Sequence, residues 1–375
     1  MSDTPHTTRV AIVQAAPVFL DAEASAQKAI QLIGQAAETG ATLAAFGEGW
    51  IPGYPMHAFA RQGTDLWWEM AAAYLEQSVD ISGALVQSLC DAAGASGIDV
   101  VIGISERDSV TNGTAYSTLL VIGADGRVHG RDRKLKATLH ERAVWGDADA
   151  AGLTVAERPY GVVSSLAGSD NQMALPAYAL AEQGAQFHIA AWPGGEMQMP
   201  PPPSVPWPRQ HLMSRALAAQ MGAYVLCAAG TMQADDIPEK YRGEIAREFT
   251  GDSIIVDPRG EIIAGPAKGE TILIADCRTD VMRAAKVAFD LAGHSARPDQ
   301  LQFQHPHASE NSGGFSGQNG FGSDYGQDFG QDFGGDGYGD YPEDGGYGGG
   351  PARGSDSGPR AGGWTSEPPP GRGRR

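Results

Sequence analysis

Hydrophobic positions along most of the chain follow two alternating spacings. Short apolar runs typical of buried strands are followed by segments in which apolar residues recur every three or four positions, as on one face of a helix. The pattern predicts a strand over 8–15, a helix over 22–39 and a strand over 42–46. A helix near 83–96 and a strand over 99–104 come next. This alternation predicts a layered α/β domain.

Two pairs of apolar runs are predicted to form hairpins. The first pair covers 115–122 and 127–131, and the second covers 253–256 and 261–264. Each pair is joined by a short turn that contains Asp and ends in Gly, which favours an antiparallel connection. Another strand is predicted over 271–275. Because hairpins are antiparallel, we expect mixed rather than purely parallel sheets.

A further apolar strand changes into a helical pattern within 162–176, Val-Val-Ser-Ser-Leu-Ala-Gly-Ser-Asp-Asn-Gln-Met-Ala-Leu-Pro. Sharp strand-to-helix breaks in α/β proteins often carry a nucleophile. The residue at this break is Gly168, which has no side chain. The break therefore raises the question of whether a reactive atom is missing.

The apolar pattern ends near residue 304. Beyond it, 325–341 is an imperfect repeat of Gly, Asp, Gln and single aromatic residues. Such a segment cannot bury enough apolar surface to offset chain entropy, so we predict a folded domain over 8–303 and a disordered tail over 304–375. Two interpretations of the tail are open: a solvating segment, or a set of aromatic stickers that promote self-association.

Charge and composition exclude several classes of protein. The 375 residues contain 42% hydrophobic residues, enough for a sizeable core, and carry a net charge of −18, which argues against nucleic acid as a partner. Residues 1–8 lack the features of a signal peptide, and no apolar run is long enough to span a membrane. We therefore expect a cytoplasmic protein without a membrane partner.

Cysteine and histidine spacing gives no metal site and no disulfide framework. The cysteines are few and far apart, and the histidines show no ligand spacing. The residues considered are Cys90, Cys227, Cys277, His140, His188 and His211. Cys90 lies in a helical pattern, Cys227 inside a strand and Cys277 just after the strand that ends at 275, so all three are expected to be core or edge residues. No metal and no cofactor is expected.

Three charged residues lie just after predicted strands, where layered α/β folds bind ligands. They are Glu48, Lys134 and, seven residues further on, Glu141. Two carboxylates and a lysine could act as a general base, an oxyanion stabiliser and a positioning group. By composition alone the signal is weak, since a Glu or Lys after a strand is usually a solvated loop residue.

The motifs around these residues resemble the nitrilase branch of the carbon–nitrogen hydrolase superfamily. Residues 46–55, Phe-Gly-Glu-Gly-Trp-Ile-Pro-Gly-Tyr-Pro, are similar to the block of the family's catalytic glutamate. Residues 133–146, Arg-Lys-Leu-Lys-Ala-Thr-Leu-His-Glu-Arg-Ala-Val-Trp-Gly, look like the lysine block. The resemblance implies that Glu48 is the catalytic glutamate, Lys134 the catalytic lysine and Glu141 the positioning glutamate.

The resemblance extends in order over about 8–303, through further matches at 103–108, 188–193 and 293–301. The chain departs from the family at Ala137, where proline is usual, and at Asp132, where histidine is common. The resemblance implies a four-layer α-β-β-α nitrilase sandwich that pairs into dimers and builds spiral oligomers. It also implies a pocket for a small nitrile or amide. By analogy, the substrate-binding residues are Tyr54, Trp145, Asn171 and Trp192.

The family's nucleophilic cysteine corresponds to Gly168 in this chain. In its third block the family has cysteine followed by Trp-Glu-Asn or Trp-Glu-His and then Pro-Leu, whereas this chain has Ser169-Asp-Asn171 and Ala174. Ser169 offers a hydroxyl one residue away, but its side chain is expected to point elsewhere, and a hydroxyl is a weaker nucleophile than a thiolate.

Three functional hypotheses follow from the missing thiol. In the first, the chain descends from enzymes that convert nitrile and water to carboxylate and ammonia, but it is catalytically silent and acts as an assembly or regulatory subunit. In the second, Glu48, Lys134 and Glu141 activate water directly, giving an active carbon–nitrogen hydrolase or a nitrile hydratase-type enzyme. In the third, the pocket binds a small molecule without turnover. We expect the first.

Truncation of the tail tests the domain boundary. Because isolated aromatic residues make only weak multivalent contacts, removing everything after Phe303 should change oligomer size or solubility but leave the thermal unfolding midpoint nearly unchanged. Differential scanning calorimetry and light scattering measure the two quantities. Unfolding of the truncated chain would show that the tail is part of the fold.

Overall fold

The computed structural model describes residues 6–194, 209–245, 248–301 and 303. The predicted disordered tail lies outside these residues. The strands are β1 (Thr7–Gln14), β2 (Leu43–Ala45), β3 (Asp99–Arg107), β4 (Ala115–Ile122), β5 (Val128–Arg133), β6 (Ala156–Arg158), β7 (Gly161–Ala167), β8 (Phe187–Trp192), β9 (Tyr224–Ala229), β10 (Thr231–Met232), β11 (Phe249–Thr250), β12 (Ile254–Val256), β13 (Ile262–Ala264) and β14 (Thr271–Arg278). The helices are α1 (Ala22–Glu38), α2 (Asp65–Glu76), α3 (Ala84–Ser96), α4 (Ala174–Glu182), α5 (Arg209–Met221), α6 (Glu239–Ile245) and α7 (Thr279–Ala288).

Two mixed sheets of six strands each form the centre of the fold. The first has the order β14-β1-β2-β3-β4-β5, and the second has the order β13-β12-β9-β8-β7-β6. In each sheet three neighbouring strands are parallel: β1, β2 and β3 in the first, and β7, β8 and β9 in the second. The remaining pairs are antiparallel and include both predicted hairpins. A separate short ladder joins β10 to β11.

Successive side chains along each strand point to opposite faces of the sheet, and the two faces pack against different layers. In β1, Val10 and Ile12 pack between the sheets, whereas Ala11 and Val13 pack under α1 and α3. The second sheet packs its outer face against α4 and α5. Because period-two alternation places one face on each core, both faces of both sheets are covered. The predicted four-layer α-β-β-α sandwich is therefore confirmed.

A fourth apolar cluster covers one edge of the sandwich. It contains residues from α2, α6 and the 3-10 turn Met56–Phe59, and we call these three elements the cap. Glu69 of α2 accepts hydrogen bonds from Lys240 and Tyr241 of α6, at 2.7 and 2.9 Å. The hydrophobic pattern did not predict the cap, because its helices pack against each other and against loops rather than against a sheet.

The predicted elements agree with the structure to within a few residues, with two differences at strand ends. The strand predicted to end at 104 continues to Arg107, and the strand predicted over 271–275 continues to Arg278. Cys277 therefore lies inside β14, whereas the hydrophobic pattern had placed it beyond the end of this strand. Cys90 lies on α3 and Cys227 on β9, as predicted, and all three cysteines are buried.

No helix within the described residues combines the length and the apolar character needed to cross a bilayer.

Asp99, at the start of β3, joins the two sheets at one end of the sandwich. Its carboxylate accepts hydrogen bonds from Arg158 Nε at 2.7 Å, Tyr160 Oη at 2.8 Å and the backbone N–H of Ala124 at 2.7 Å. The Arg158 side chain is only 9% exposed and that of Asp99 3%. Loss of the carboxylate would leave a buried, unpaired guanidinium, which is costly.

Asp99→Ala should therefore lower the free energy of unfolding by about 3–5 kcal/mol, measured by denaturant titration. The matched control is Asp276→Ala, which removes an exposed ion pair of similar length: Asp276 and Arg9 are 2.8 Å apart with side chains 50% and 45% exposed. An exposed pair contributes about 0–1 kcal/mol. Equal losses in the two variants would contradict the role assigned to Asp99.

Candidate active site

The three charged residues that follow strands meet in the structure. Glu48 lies three residues beyond β2, Lys134 directly follows β5, and Glu141 lies in the 3-10 turn Leu139–Ala143. Lys134 Nζ donates to Glu48 Oε1 and to Glu141 Oε1, each at 2.8 Å. We call these three side chains the ion cluster. The alternative interpretation, solvated loop residues, is wrong because all three are buried.

Hydrogen bonds from neighbouring residues fix both carboxylates. Ser117 Oγ donates to Glu48 Oε1 at 3.0 Å, and Tyr54 Oη donates to Glu141 Oε1 at 2.7 Å. Thr138 donates to Glu141 Oε2 from its backbone N–H at 2.9 Å and from its hydroxyl at 3.0 Å. Charge-assisted hydrogen bonds of this kind offset part of the cost of burying the charges.

Close backbone packing places Glu48 at the sheet edge. Its N–H donates to the carbonyl of Trp192 at 3.1 Å, which ties the residue to the second sheet. A Cβ atom at Gly103 in β3 would overlap the carbonyl oxygen of Gly47. Glycine at 103 is therefore required for the segment carrying Glu48 to lie against β3.

Burial and the shared ammonium separate the pKa values of the two glutamates. Burial raises the pKa of Glu48 to about 7, although Lys134 acts in the opposite direction. Burial also acts to raise the pKa of Glu141, but Lys134 and the hydrogen bonds to this carboxylate outweigh burial and lower it. Burial acts to lower the pKa of Lys134. The two carboxylates outweigh this effect, so the pKa of Lys134 is raised. Glu48 therefore titrates near neutrality beside an ionised Glu141 and a charged Lys134.

Gly168 lies at the break between strand and helix, next to the ion cluster. Strand β7 ends at Ala167, and the 3-10 turn Gly168–Gln172 leads into α4. The φ angle of Gly168 is +47°, in the left-handed region that favours glycine. A Cβ atom at 168 would overlap Glu48 Oε2 and would lie 2.7 Å from Lys134 Nζ.

Glu48 Oε2 is the carboxylate oxygen that faces Gly168. It is buried and has no hydrogen-bond partner among the described residues. An unsatisfied buried carboxylate oxygen is costly, and it also favours the protonated form of the acid. The carboxylate thus fills the space that a side chain at 168 would occupy.

Of the four predicted pocket residues, Tyr54 and Trp145 have their side chains beside the ion cluster, and Trp192 contacts Glu48 through its backbone carbonyl. The Trp145 ring lies 5.8 Å from Lys134 Nζ and packs edge-on against Tyr54. The Trp192 side chain belongs to the layer facing α4 and α5. The Asn171 amide donates to the carbonyls of Leu166 and Gly168 at 2.8 and 3.0 Å, which holds the turn itself.

Two hydroxyl groups at the site were not predicted. Ser117 lies on β4, 69 residues from Glu48, and no local sequence pattern links them. Thr138 does have a readable signal, because Thr138-Leu-His-Glu141 fits a capping box, in which the threonine and the glutamate bond each other's backbone N–H. The pattern could therefore have identified the residue that orients Glu141.

Groups of three or more His, Cys, Asp or Glu side chains suited to a metal ion do not occur within the described part of the chain. His188 is fully buried, and its ring bonds Ser164 and Asn171 at 2.9 and 3.0 Å. The ring nitrogens of His188 are thus both used inside the second sheet and its adjacent turn.

Comparison with known proteins agrees with this architecture. A family model described as Carbon-nitrogen hydrolase matches residues 9–287. Nitrilase 2 from an unknown prokaryotic organism is 42% identical over 298 residues, which cover 78% of this chain and 90% of that relative. Saccharomyces cerevisiae Nit3, a member of branch 10 of the nitrilase superfamily, matches in structure with a TM-score of 0.61 at 22% identity, covering 78% of this chain and 97% of that one.

An amidase variant from Nesterenkonia sp. AN1, with acrylamide added at its active-site cysteine, matches with a TM-score of 0.57 at 18% identity, covering 75% of this chain and 97% of that one. The structural match and the two six-stranded sheets with helices on their outer faces show the nitrilase fold. The chain belongs to the carbon–nitrogen hydrolase family, and within it to the nitrilase-type hydrolases of carbon–nitrogen bonds.

The raised pKa of Glu48 predicts a pH dependence of stability. Between pH 4.5, the ordinary value, and about 7, the folded state keeps a proton that the unfolded state has released. The contribution of protonated Glu48 to the free energy of unfolding is therefore complete below pH 4.5 and is lost as the pH rises to about 7. Glu48→Gln removes the effect, so the stability of the variant relative to wild type should rise by on the order of 3 kcal/mol across the window.

Glu141→Gln is the matched control, with the opposite sign. Because the folded-state pKa of Glu141 is lowered, its carboxylate stabilises the fold above the unfolded pKa, and this contribution is lost in acid. The Gln variant should therefore be most destabilised near neutral pH. Denaturant titrations at several pH values measure both effects. Parallel stability profiles for wild type and Glu48→Gln would refute the assignment.

Proposed function

We propose that this protein is a nitrilase-family member in which the covalent nitrilase reaction is closed, and which keeps the ion-cluster pocket as a binding site. The observation that carries the proposal is the position of Gly168: its Cα lies at the ion cluster, where a side chain would meet Glu48 and Lys134. The family resemblance assigns this position to the nucleophilic cysteine. Cys90, Cys227 and Cys277 lie elsewhere and are buried.

The chemistry explains why glycine closes the route. In the reaction that the resemblance implies, a thiolate adds to the nitrile carbon, and water hydrolyses the thioimidate with loss of ammonia. The glutamate takes the thiol proton and the lysine stabilises the developing anion. Glycine has no atom that can form the covalent bond. Removing the nucleophile from such a set typically lowers kcat by several orders of magnitude.

The ion cluster and the aromatic side chains above it suit a small nitrile or amide. Lys134 provides an ammonium, Glu48 a carboxyl oxygen with no partner in the described part of the chain, and Tyr54 and Trp145 aromatic rings. A few fixed polar groups among aromatic side chains are typical of a ligand site. We infer that the protein binds such molecules and serves as an assembly or regulatory subunit through dimers and spiral oligomers.

One experiment tests the binding role, the assembly role and the absence of turnover by three separate measurements. Purified protein is incubated with a panel of nitriles and amides while ammonia is assayed, thermal melting is followed and particle size is measured by light scattering. We expect large particles and ligand-induced melting shifts without ammonia. Ammonia release at an ordinary enzymatic rate would contradict the proposal. Small particles would contradict the assembly role, and the absence of melting shifts would contradict the binding role.

Direct activation of water is the second candidate function, and the environment of Glu48 favours it. A general base works best when its pKa is near the operating pH, and burial brings the pKa of Glu48 to about 7. Glu48 Oε2, which has no hydrogen-bond partner among the residues that the structure describes, could accept a proton from water. Ammonia release that is abolished by Glu48→Gln in otherwise unchanged protein would favour this candidate.

Gly168→Cys tests whether only the nucleophile is missing. The thiol would lie next to the Lys134 ammonium, which favours the thiolate, and next to a carboxylate that can accept its proton. We expect alkylation of the introduced thiol by iodoacetamide and slow ammonia release from some nitrile, both lost on a further Glu48→Gln or Lys134→Ala change. The gain should be modest, because Glu48 has to move away and the φ angle of +47° is strained for cysteine.

Gly168→Ala and Gly168→Ser are the controls for this variant. Alanine adds the same Cβ without a reactive group, so it reports the loss of stability alone. Serine adds a weaker nucleophile and should stay inactive towards nitriles. If wild-type protein hydrolyses nitriles as fast as the cysteine variant, the thiol is not the missing part.

A further inference from the structure

Ser169, the residue after Gly168, is connected by hydrogen bonds to the ion cluster. Its hydroxyl lies 3.2 Å from Thr138 Oγ1, and Thr138 Oγ1 lies 3.0 Å from Glu141 Oε2. Ser169 is half-buried, whereas the three side chains of the ion cluster are buried. The Ser169 side chain is thus directed towards Thr138, the residue that begins the turn carrying Glu141.

Each hydroxyl in the series Ser169, Thr138, Glu141 has one hydrogen, and this decides which group donates in each hydrogen bond. Lys134, Thr138 and Tyr54 hold the pKa of Glu141 low, so its carboxylate is ionised and only accepts hydrogen bonds. The single hydroxyl proton of Thr138 therefore points to Glu141 Oε2. Thr138 Oγ1 can then only accept from Ser169, so the proton of Ser169 points towards the carboxylate.

We propose that Ser169 is a nucleophile for acyl transfer, with Thr138 as the proton relay to Glu141, and that the protein hydrolyses activated aryl esters. A serine hydroxyl becomes an effective nucleophile when an adjacent base can take its proton and a third group orients that base. Here the carboxylate is the base, reached through one hydroxyl, and Lys134 at 2.8 Å from Glu141 Oε1 orients it.

The reaction balances without any cofactor. Ser169 Oγ forms a bond to the ester carbonyl carbon while its proton passes to Thr138 Oγ1, and Thr138 passes its own proton to Glu141 Oε2. The bond between the carbonyl carbon and the aryl oxygen breaks, and the proton on Glu141 neutralises the phenolate. Water then bonds to the acyl carbon, the bond from that carbon to Oγ breaks, and a proton of water returns to Oγ. The products are a carboxylic acid and a phenol.

Aryl esters fit this arrangement better than nitriles. A phenolate leaves readily, so a weakly basic carboxylate acting through a relay is sufficient, whereas nitriles demand a stronger nucleophile. The Lys134 ammonium also lies beside the turn that carries Ser169, 2.7 Å from the Cβ position of residue 168, where it can face a developing oxyanion. Ester hydrolysis by Ser169 does not use a thiol. A test of it is therefore independent of the proposed loss of nitrile hydrolysis.

An alkyl fluorophosphonate and p-nitrophenyl acetate test the proposal on the full-length protein. The fluorophosphonate should form a bond from Ser169 Oγ to phosphorus with loss of fluoride, and peptide mass mapping should locate the modification. Ser169→Ala should abolish this modification and lower ester hydrolysis at least about tenfold, the low side of what a positioned acid–base system contributes. Modification at another residue, or unchanged hydrolysis in Ser169→Ala, would overturn the proposal.

Thr138 provides a second test that leaves Ser169 in place. Thr138→Val removes the relay hydroxyl and should slow labelling of Ser169 about tenfold or more, whereas Thr138→Ser should restore it. A purely structural bridge between the two turns would affect melting temperature but not the relative labelling rates of these two variants at equal folded fraction. Ser88→Ala, on α3 and away from the cluster, is the matched control and should label as wild type does. Equal rates for Thr138→Val and Thr138→Ser would contradict the relay.

Discussion

The ammonium of Lys134, held inside the protein between two carboxylates, is the constraint on which the rest of the site depends. A single buried charge of this kind would be prohibitively costly, so the chain must bring Glu48 and Glu141 to it from segments 86 and 7 residues away. Each carboxylate then needs its own donors, which Ser117, Tyr54 and Thr138 supply. The sheet edge, the 3-10 turn and part of the aromatic cluster are thus arranged around one positive charge.

The buried ammonium of Lys134 also gives the two glutamates different protonation behaviour. Glu141 receives several hydrogen bonds and is the ionised partner of Lys134, whereas Glu48 keeps one oxygen without a partner among the described residues and titrates near neutrality. Two chemically identical side chains therefore differ in protonation because of their surroundings. This asymmetry suits hydrolytic chemistry, and it persists in a chain that has glycine at the neighbouring turn.

Much of the fold could be predicted from sequence because it rests on local patterns. The core strands are continuous buried runs and the helices α1 and α3 each have one apolar face, so their positions could be predicted to within a few residues. The location of Glu48, Lys134 and Glu141 came from motif resemblance, since spacing alone does not bring together residues so far apart. The cap and the contact of Ser117 with Glu48 could not be predicted, because both are created by distant segments that meet only after folding.

Two kinds of contact join the helices of the cap. One is the ion pair of Glu69 with Lys240, whose side chains are 55% and 62% exposed. Exposed pairs contribute little, and salt screens them further. The other is the buried apolar cluster that includes Met70, Tyr74 and Tyr241. Salt therefore weakens the ion pair but leaves the apolar contacts, so the cap depends on burial of apolar surface, as the sandwich does.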